Sequence, residues 1–417
     1  MQLIALVLLA LAAISPAWLV QSAAAAVRSV PAHAASVPAQ QCREPFSADR
    51  NPADPLALPS APGSDPLTGA RFFVPGPARG DAAGAIAQLL GLNPARMPLR
   101  ESWTRFARRL AHGALAARLA ADRNLAHQVR ELAKIAAQPE AQRLSSYSGG
   151  GGPGALFAQT EKIFCKNMRA DPGSVPIFNT DFLHGSLGGC PTPAEVAAYG
   201  PTFRRRVDEV AAATDRRPAV FLLELDALGS SQCVAHNGAL PGWEADLRDE
   251  IDRISALPHT VVYVEAGYSD ANSVAYTARI LNAIGIRRIR GFYTNDTHED
   301  WTISEVRWAT RIARRTDGAH FIVNTSDNGR GPLLNIGHMA KDGVADLCNP
   351  PGRGLGPTDT TDTGFRFADA FMWTHPPGNS SGCGGGPPGG VFWPARAIAL
   401  AQHANDQLGP GLPSRPF

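Results

Sequence analysis

A chain of 417 residues, 44% of them hydrophobic, is long and apolar enough to bury one large core or two medium ones, which excludes disorder throughout. Thirty-nine Lys and Arg against thirty-seven Asp and Glu leave a formal charge of +2, so no bulk field draws the chain to nucleic acid or anionic lipid. Six cysteines, none in a CxxC pair, argue against a cysteine metal site and, in an exported chain, for disulfides whose pairing composition leaves open.

In chain order, residues 1–26 carry an apolar run and the small residues Ala24 to Ala26, which read as a signal peptide and its cleavage site. The protein is therefore expected outside the cytoplasm, secreted and soluble, or anchored if Leu3 to Val20 stays uncleaved. Residues 27–62, rich in Pro, Ala and Ser, read as a poorly ordered arm. Residues 82–145 follow a helical period, with Trp103, Phe106, Leu110 and Ala114 on one face and Leu125, Val129, Leu132 and Ile135 on another. SGGGGPG at 148–154 interrupts the pattern.

Beyond it, short apolar runs alternate with amphipathic segments. Strands are predicted at Val175 to Phe178, Ala219 to Leu223, Thr260 to Val264, Ile289 to Tyr293, His320 to Val323 and Ala370 to Trp373. Helices are predicted near 201–214, 243–256, 273–284 and 302–315. The βαβα order implies a parallel α/β fold, either a barrel or a doubly wound sheet. No Gly-rich phosphate loop sits at a strand-to-helix turn, so neither a nucleotide nor any other cofactor is expected. Polar residues recur just past the strand ends instead: Asn179 and Asp181, Glu224 and Asp226, Glu265, Asn295 and Asp296, Asn324 and Asp327, and His375. In a parallel α/β fold those ends face one side, where sites are built. Strand alternation across FLLELDALG predicts that Glu224 and Asp226 share a face, so that one carboxyl raises the pKa of the other.

A pocket of Asp, Glu, Asn and His, with Trp301 and Trp373 available to stack on sugars, suits glycoside hydrolysis, which needs two carboxyl groups and a water. A GxSxG elbow is missing, which disfavours serine hydrolysis. Thr297-His298-Glu299-Asp300 lacks HExxH spacing, so no metal is expected.

From about residue 136 to 407 the chain resembles glycoside hydrolase family 6, the inverting β-1,4-glucanases and cellobiohydrolases. Ala136 to Ala141 resembles its entry segment and Val175 to Asn179 its first barrel strand. LLELDALG resembles E-P-D-[SA]-L, with Leu225 for Pro; YVEAGYSD resembles the element containing D-A-G-H; GFYTN resembles G-F-[AS]-T-N; and FIVNTSDNGRG resembles F-[IV]-x-D-x-x-R-x-G. LCNPPGRGLGPTDTTDTGFRFADAFMWTHPPGNSSG follows the W-C-N to W-x-K-P-G-G-E-x-D-G stretch. The resemblance implies a distorted parallel (β/α) barrel of about seven strands over 63–417, with 82–145 as a helical N-terminal extension. It also implies the pairs Cys190–Cys233 and Cys348–Cys383, leaving Cys42 for Cys165.

It further implies a hydrolase of β-1,4-glucan, expected as a monomer and, from its signal peptide, secreted, with Asp226 as general acid and Glu224, Glu265, Asp181 and His184 around it. Phe178, Asn295, Trp301, Asn324, Trp373, His375 and Asn379 would meet the sugar chain. The short Gly-rich segment 378–390 points to an open cleft and internal attack. The departures fall on catalytic positions. The family's second Asp falls near His184, its Tyr on Phe178, the D-A-G-H Asp on Glu265, and its Lys, Glu and base Asp on His375, Asn379 and Ser381. Asp181, Asp362, His184 and His375 are the candidates to replace the base. An active hydrolase leads; a sugar-binding pseudoenzyme and an exported scaffold are the alternatives.

Overall fold

The computed structural model describes residues 65–145, 152–171, 173–333 and 348–410, excepting the side chains of 166–169. The signal peptide, the arm and Cys42 lie outside the described residues.

Four helices open the described chain: α1 (Asp81–Leu89), α2 (Trp103–Leu110), α3 (Gly113–Ala121) and α4 (Arg123–Ala136). Ser102 caps α2 by accepting from Arg105 N at 3.3 Å, and Asp122 caps α4 by accepting from Leu125 N at 3.0 Å. The predicted stripe Leu125, Val129, Leu132 and Ile135 is buried, as is Phe106.

The helical stretch expected to run to residue 145 does not do so. Pro139 follows α4, and the chain enters β1 (Gln142–Ser145). The sequence Gln-Arg-Leu-Ser holds a single apolar residue and no β-branched or aromatic one, so nothing in its pattern marks a strand. The remaining elements alternate: α5 (Ala155–Ala170), β2 (Ile177–Asp181), α6 (His184–Leu187), α7 (Pro193–Thr214), β3 (Ala219–Leu223), α8 (Ser231–His236), α9 (Leu240–Ser255), β4 (Thr260–Glu265), α10 (Val274–Ile284), β5 (Gly291–Thr294), α11 (Thr302–Ala313), β6 (His320–Asn324), β7 (Ala368–Met372) and α12 (Pro394–Gln402). Helix α7 starts eight residues before the predicted 201, behind a Thr192/Glu195 capping box with Pro193 in its first turn; Pro201 sits inside it.

The seven strands are parallel and pair in sequence order, β1 to β7. Alternation along them feeds two cores. Phe178, Phe221, Leu223, Val262, Phe292, Phe321 and Phe371 face the helices in one cluster. Ile177, Val220, Leu222, Tyr263, Tyr293, Ile322 and Met372 form another on the opposite face. Ile177 and Met372 stand on strands five places apart yet share that cluster, so the sheet is rolled. Asn179 Nδ2, on β2, donates to Thr374 O, just past β7, at 3.1 Å and joins the two sides of the roll. This is the distorted parallel barrel expected from the sequence.

A third cluster joins α1 and α4 to α12 and Trp373, so the N-terminal helices pack directly on the barrel. Cys190–Cys233 and Cys348–Cys383 are both bridged, and Cys165 is disulfide-bonded as well. Among the described residues no helix is long and apolar enough to cross a membrane.

Candidate active site

The carboxyl ends of the strands are held by a repeated device, in which a polar side chain at one strand end captures backbone of a neighbouring loop. Glu224, after β3, accepts from Phe182 N at 3.0 Å and Leu183 N at 2.7 Å in the loop that follows β2. Glu265, ending β4, accepts from Leu228 N at 2.8 Å and Gly229 N at 3.0 Å in the loop after β3, and from Gly267 N. Asn324, ending β6, donates to Asn295 O at 2.9 Å, and Asn295 donates to Asp300 O at 3.1 Å. All four side chains are fully buried. Burial pushes the Glu224 carboxyl up to about 8 and that of Glu265 well above its usual range, despite the N–H donors that each collects.

These four therefore brace loops and do not line a cleft, which corrects their assignment as catalytic or sugar-binding residues. The expected shared face of Glu224 and Asp226 fails for a local reason. Strand β3 stops at Leu223, and both acids take left-handed backbone, with φ of 57° and 60°, so pleat alternation no longer applies. Glu224 turns under the 182–183 backbone while Asp226 emerges into the open. Left-handed backbone at non-glycine residues costs about 1–3 kcal/mol each and gathers at functional sites; Asn295, with φ of 68°, is a third instance.

Asp226 keeps 19% of its side chain exposed. Its Oδ1 accepts from Thr297 Oγ1 at 2.8 Å and from the Tyr268 hydroxyl. Its Oδ2 faces His184 Nδ1 at 3.9 Å. Asp181, inward-facing at the end of β2, lies within electrostatic reach of Asp226 and His184. Burial raises its carboxyl, with Arg143 and His184 opposing and Asp226 adding to the rise. It packs on Gly185, where a Cβ would stand 2.6 Å from its Oδ1. Asp181, His184 and Asp226 are thus brought together.

Across the barrel mouth, His375 lies between two carboxylates, with Nδ1 at 3.3 Å from Asp296 Oδ1 and Nε2 at 3.8 Å from Asp327 Oδ2. Burial alone would lower the imidazole, but the hydrogen bonds and charges of Asp296 and Asp327 win and raise it to about 9. The same contacts hold both carboxyls below their ordinary range against burial. His375 is a cation at neutral pH, which removes it as a replacement base.

Two aromatic assignments also fall. Phe178 is buried on the helix side of β2, stacked on Phe221 with ring centroids 5.2 Å apart and against Phe164 at 5.3 Å. Trp373 is buried in the cluster with α1 and α12, its Nε1 donating to Pro357 O at 3.1 Å. Trp301 is half-buried beside Gly331, where a Cβ would clash with its indole, and Asn379 is half-buried beside the exposed 381–390 segment. Asp362 is exposed on the loop before β7. Tyr268, Thr297 and Arg143 were missed by sequence reasoning. Arg143 was hidden on the unrecognised β1, and Tyr268 and Thr297 lie on loops without a period.

A family model for glycosyl hydrolases family 6 matches residues 177–404, more than half of the chain. This chain belongs to glycoside hydrolase family 6. Endoglucanase A of Thermobispora bispora is 30% identical over 287 residues, covering 65% of this chain and 56% of that protein. Endoglucanase 1 of Streptomyces sp. strain KSM-9 is 30% identical over 282 residues, covering 64% and 70%. The chain thus spans little more than half the length of the first of these relatives. The endoglucanase Cel6 of Mycobacterium tuberculosis, solved with methyl-cellobiosyl-4-deoxy-4-thio-β-D-cellobioside, superposes with a TM-score of 0.63 at 27% identity, covering 82% of this chain and 99% of that one.

Within family 6 the departures acquire a geometry. F-[IV]-x-D-x-x-R-x-G laid over FIVNTSDNGRG puts the family's Arg on Asp327, while its Lys falls on His375. The Asp at 327 is one of the two that hold His375 charged, so a cation persists where the family has Lys. Ser381, where the family has its base Asp, lies exposed and tied to Asn349, with Ser381 N donating to Asn349 Oδ1 at 2.9 Å.

Proposed function

We propose that this protein is a secreted, monomeric hydrolase of β-1,4-glucan that acts by inversion, with Asp226 as general acid. The observation that carries the reading is the asymmetry of the Asp226 carboxyl. Two hydroxyls occupy Oδ1, so the proton of the acid form belongs on Oδ2, the oxygen that turns toward His184 and the barrel mouth. That proton passes to the glycosidic oxygen as its bond to the anomeric carbon breaks, and a water attacks from the opposite face. Of the replacement bases we assign Asp181, because burial raises its basicity whereas His375 is held protonated between two carboxylates. Trp301 and Asn379, half-buried near the mouth, remain the sugar-contacting residues. The largely exposed Gly-rich segment 381–390 supports an open cleft and internal attack, and the two bridges suit an oxidising exterior.

The test is release of reducing ends from a soluble β-1,4-glucan by the wild type, Asp226→Asn and Asp181→Asn. Loss of about 10²-fold or more is expected for each variant, with α-configured products appearing first from the wild type. The second reading, a carbohydrate-binding protein without turnover, is favoured by Ser381. Equal background release from wild type and Asp226→Asn, with oligosaccharide binding retained, would establish it.

A further inference from the structure

Tyr268, which holds the Asp226 carboxyl, is itself held by groups that no step of glycoside cleavage uses. Its ring lies on the imidazole of His298 with centroids 3.6 Å apart and planes 3° from parallel. His298 is buried, and its Nδ1 stands 2.9 Å from Asp270 Oδ1. Tyr268 is also fixed along its backbone: its N donates to Asn272 Oδ1 at 3.1 Å, and its O accepts from Asn272 N at 2.9 Å. The ring occupies space that exists only because residue 229 is glycine, since a Cβ there would stand 2.5 Å from Tyr268 Cε2.

We propose that His298, braced by Asp270, is a positioning residue that keeps the Tyr268 hydroxyl on Oδ1 of Asp226 and so reserves Oδ2 for the proton. The proposal deepens the reading of Asp226 as the acid and rests on it. A phenol free to rotate about χ1 and χ2 spends part of its time away from the carboxylate, whereas a ring pressed flat against a buried imidazole does not. His298 does not reach Asp226 through a proton path, because a stacked pair of rings transmits orientation but not protons.

The support behind His298 is a compact set of titratable groups. Asp270 also hydrogen-bonds Asp300, whose carboxyl burial and the charges of Glu305 and Asp270 push up to about 9. Ser269 Oγ donates to Asp300 Oδ2 at 3.2 Å, and Ser269 N donates to Glu305 Oε1 at 2.9 Å. Burial raises Glu305 to about 7. The 297–300 loop therefore contributes to the acid twice, through the Thr297 hydroxyl directly and through His298 behind Tyr268.

The experiment follows the Asp226 carboxyl by ¹³C NMR, with Asp226→Asn to assign the signal, so that it does not depend on turnover. It compares wild type, His298→Ala, His298→Phe, Tyr268→Phe and the double variant Tyr268→Phe/His298→Ala, each checked for a cooperative melt. Losing a donor to the charged form raises a carboxyl, so His298→Ala is expected to lift the Asp226 titration by about half to one pH unit, and Tyr268→Phe by at least as much. His298→Phe keeps a ring for the stack and is expected to stay within a few tenths of wild type. Once the phenol hydroxyl is gone, His298→Ala is expected to add nothing further. An unmoved titration in His298→Ala, or a full second shift in the double variant, overturns the proposal. If His298→Ala does not fold, His298→Leu, which fills the space without a ring to stack on, takes its place: a titration raised as in Tyr268→Phe is expected, and an unmoved one overturns the proposal. Absent glucan hydrolysis with the coupling intact would refute the hydrolase reading while leaving the positioning role standing.

Discussion

At the scale of residues, what distinguishes Asp226 from the acids around it is how each is satisfied. Glu224 and Glu265 collect backbone N–H donors in full burial, while Asp226 accepts two hydroxyls on one oxygen and leaves the other at the mouth. Residue type alone does not separate these three, since all are acids at or just past a strand end. The same holds for aromatics: Phe178 and Trp301 were both expected to meet the sugar chain, but Phe178 is inside the helix-side core. Phe178→Ala is therefore expected to cost about 3–5 kcal/mol in denaturant unfolding and to leave the affinity of any variant that remains folded for cello-oligosaccharides unchanged. A weakened affinity at unchanged stability would return Phe178 to the cleft.

At the scale of elements, the strand-end braces couple neighbouring loops into one rim, so the loop carrying Asp226 depends on a side chain from the next strand. Glu265→Ala strips the acceptor from Leu228, Gly229 and Gly267 N–H groups in a buried place. It is expected to cost about 3 kcal/mol or more and to speed amide exchange at Leu228 and Gly229 before the sheet loosens. Glu265→Gln, which keeps one acceptor oxygen, is expected to lose less; equal exchange in all three proteins would show that the loop holds itself. Helix α4 was legible because its apolar residues follow a helical period, and strands β2 to β7 because each carries apolar, β-branched or aromatic residues in a run. Strand β1, four residues beside a glycine run, had no period to read, and Arg143 was lost with it.

At the scale of the whole molecule, the buried acids set a direction for stability against pH. Glu224 at about 8, Glu305 at about 7, Asp300 at about 9 and Asp359 at about 7 all lie above their unfolded values, so the folded chain binds more protons than the unfolded one through that range. His375, raised to about 9, acts in the same sense: its contribution is full below about 6.5 and lost as pH rises through 9. Asp296, Asp327 and Asp369, all lowered, oppose this only in acid, where their contribution fades below their ordinary range. Stability is therefore expected to fall from pH 5 to pH 9, by about 5 °C or more in Tm by calorimetry. A flat or rising Tm would mean that these groups are hydrated more than their burial implies.

The sequence by itself determined the parallel α/β architecture and the strand-end position of the polar residues, because both are written in local spacing; short contiguous motifs carried the family resemblance, and that resemblance implied the two cysteine bridges in the described chain. Only the tertiary structure decided which acids brace loops, which aromatics are core, that His375 is kept charged, and that Tyr268 and Thr297 hold Asp226. Those outcomes depend on left-handed residues that end the pleat and on partners 29 to 79 positions apart, such as Asp296 with His375 and Tyr268 with Thr297. No window of sequence carries such distances; the rolled sheet brings them together.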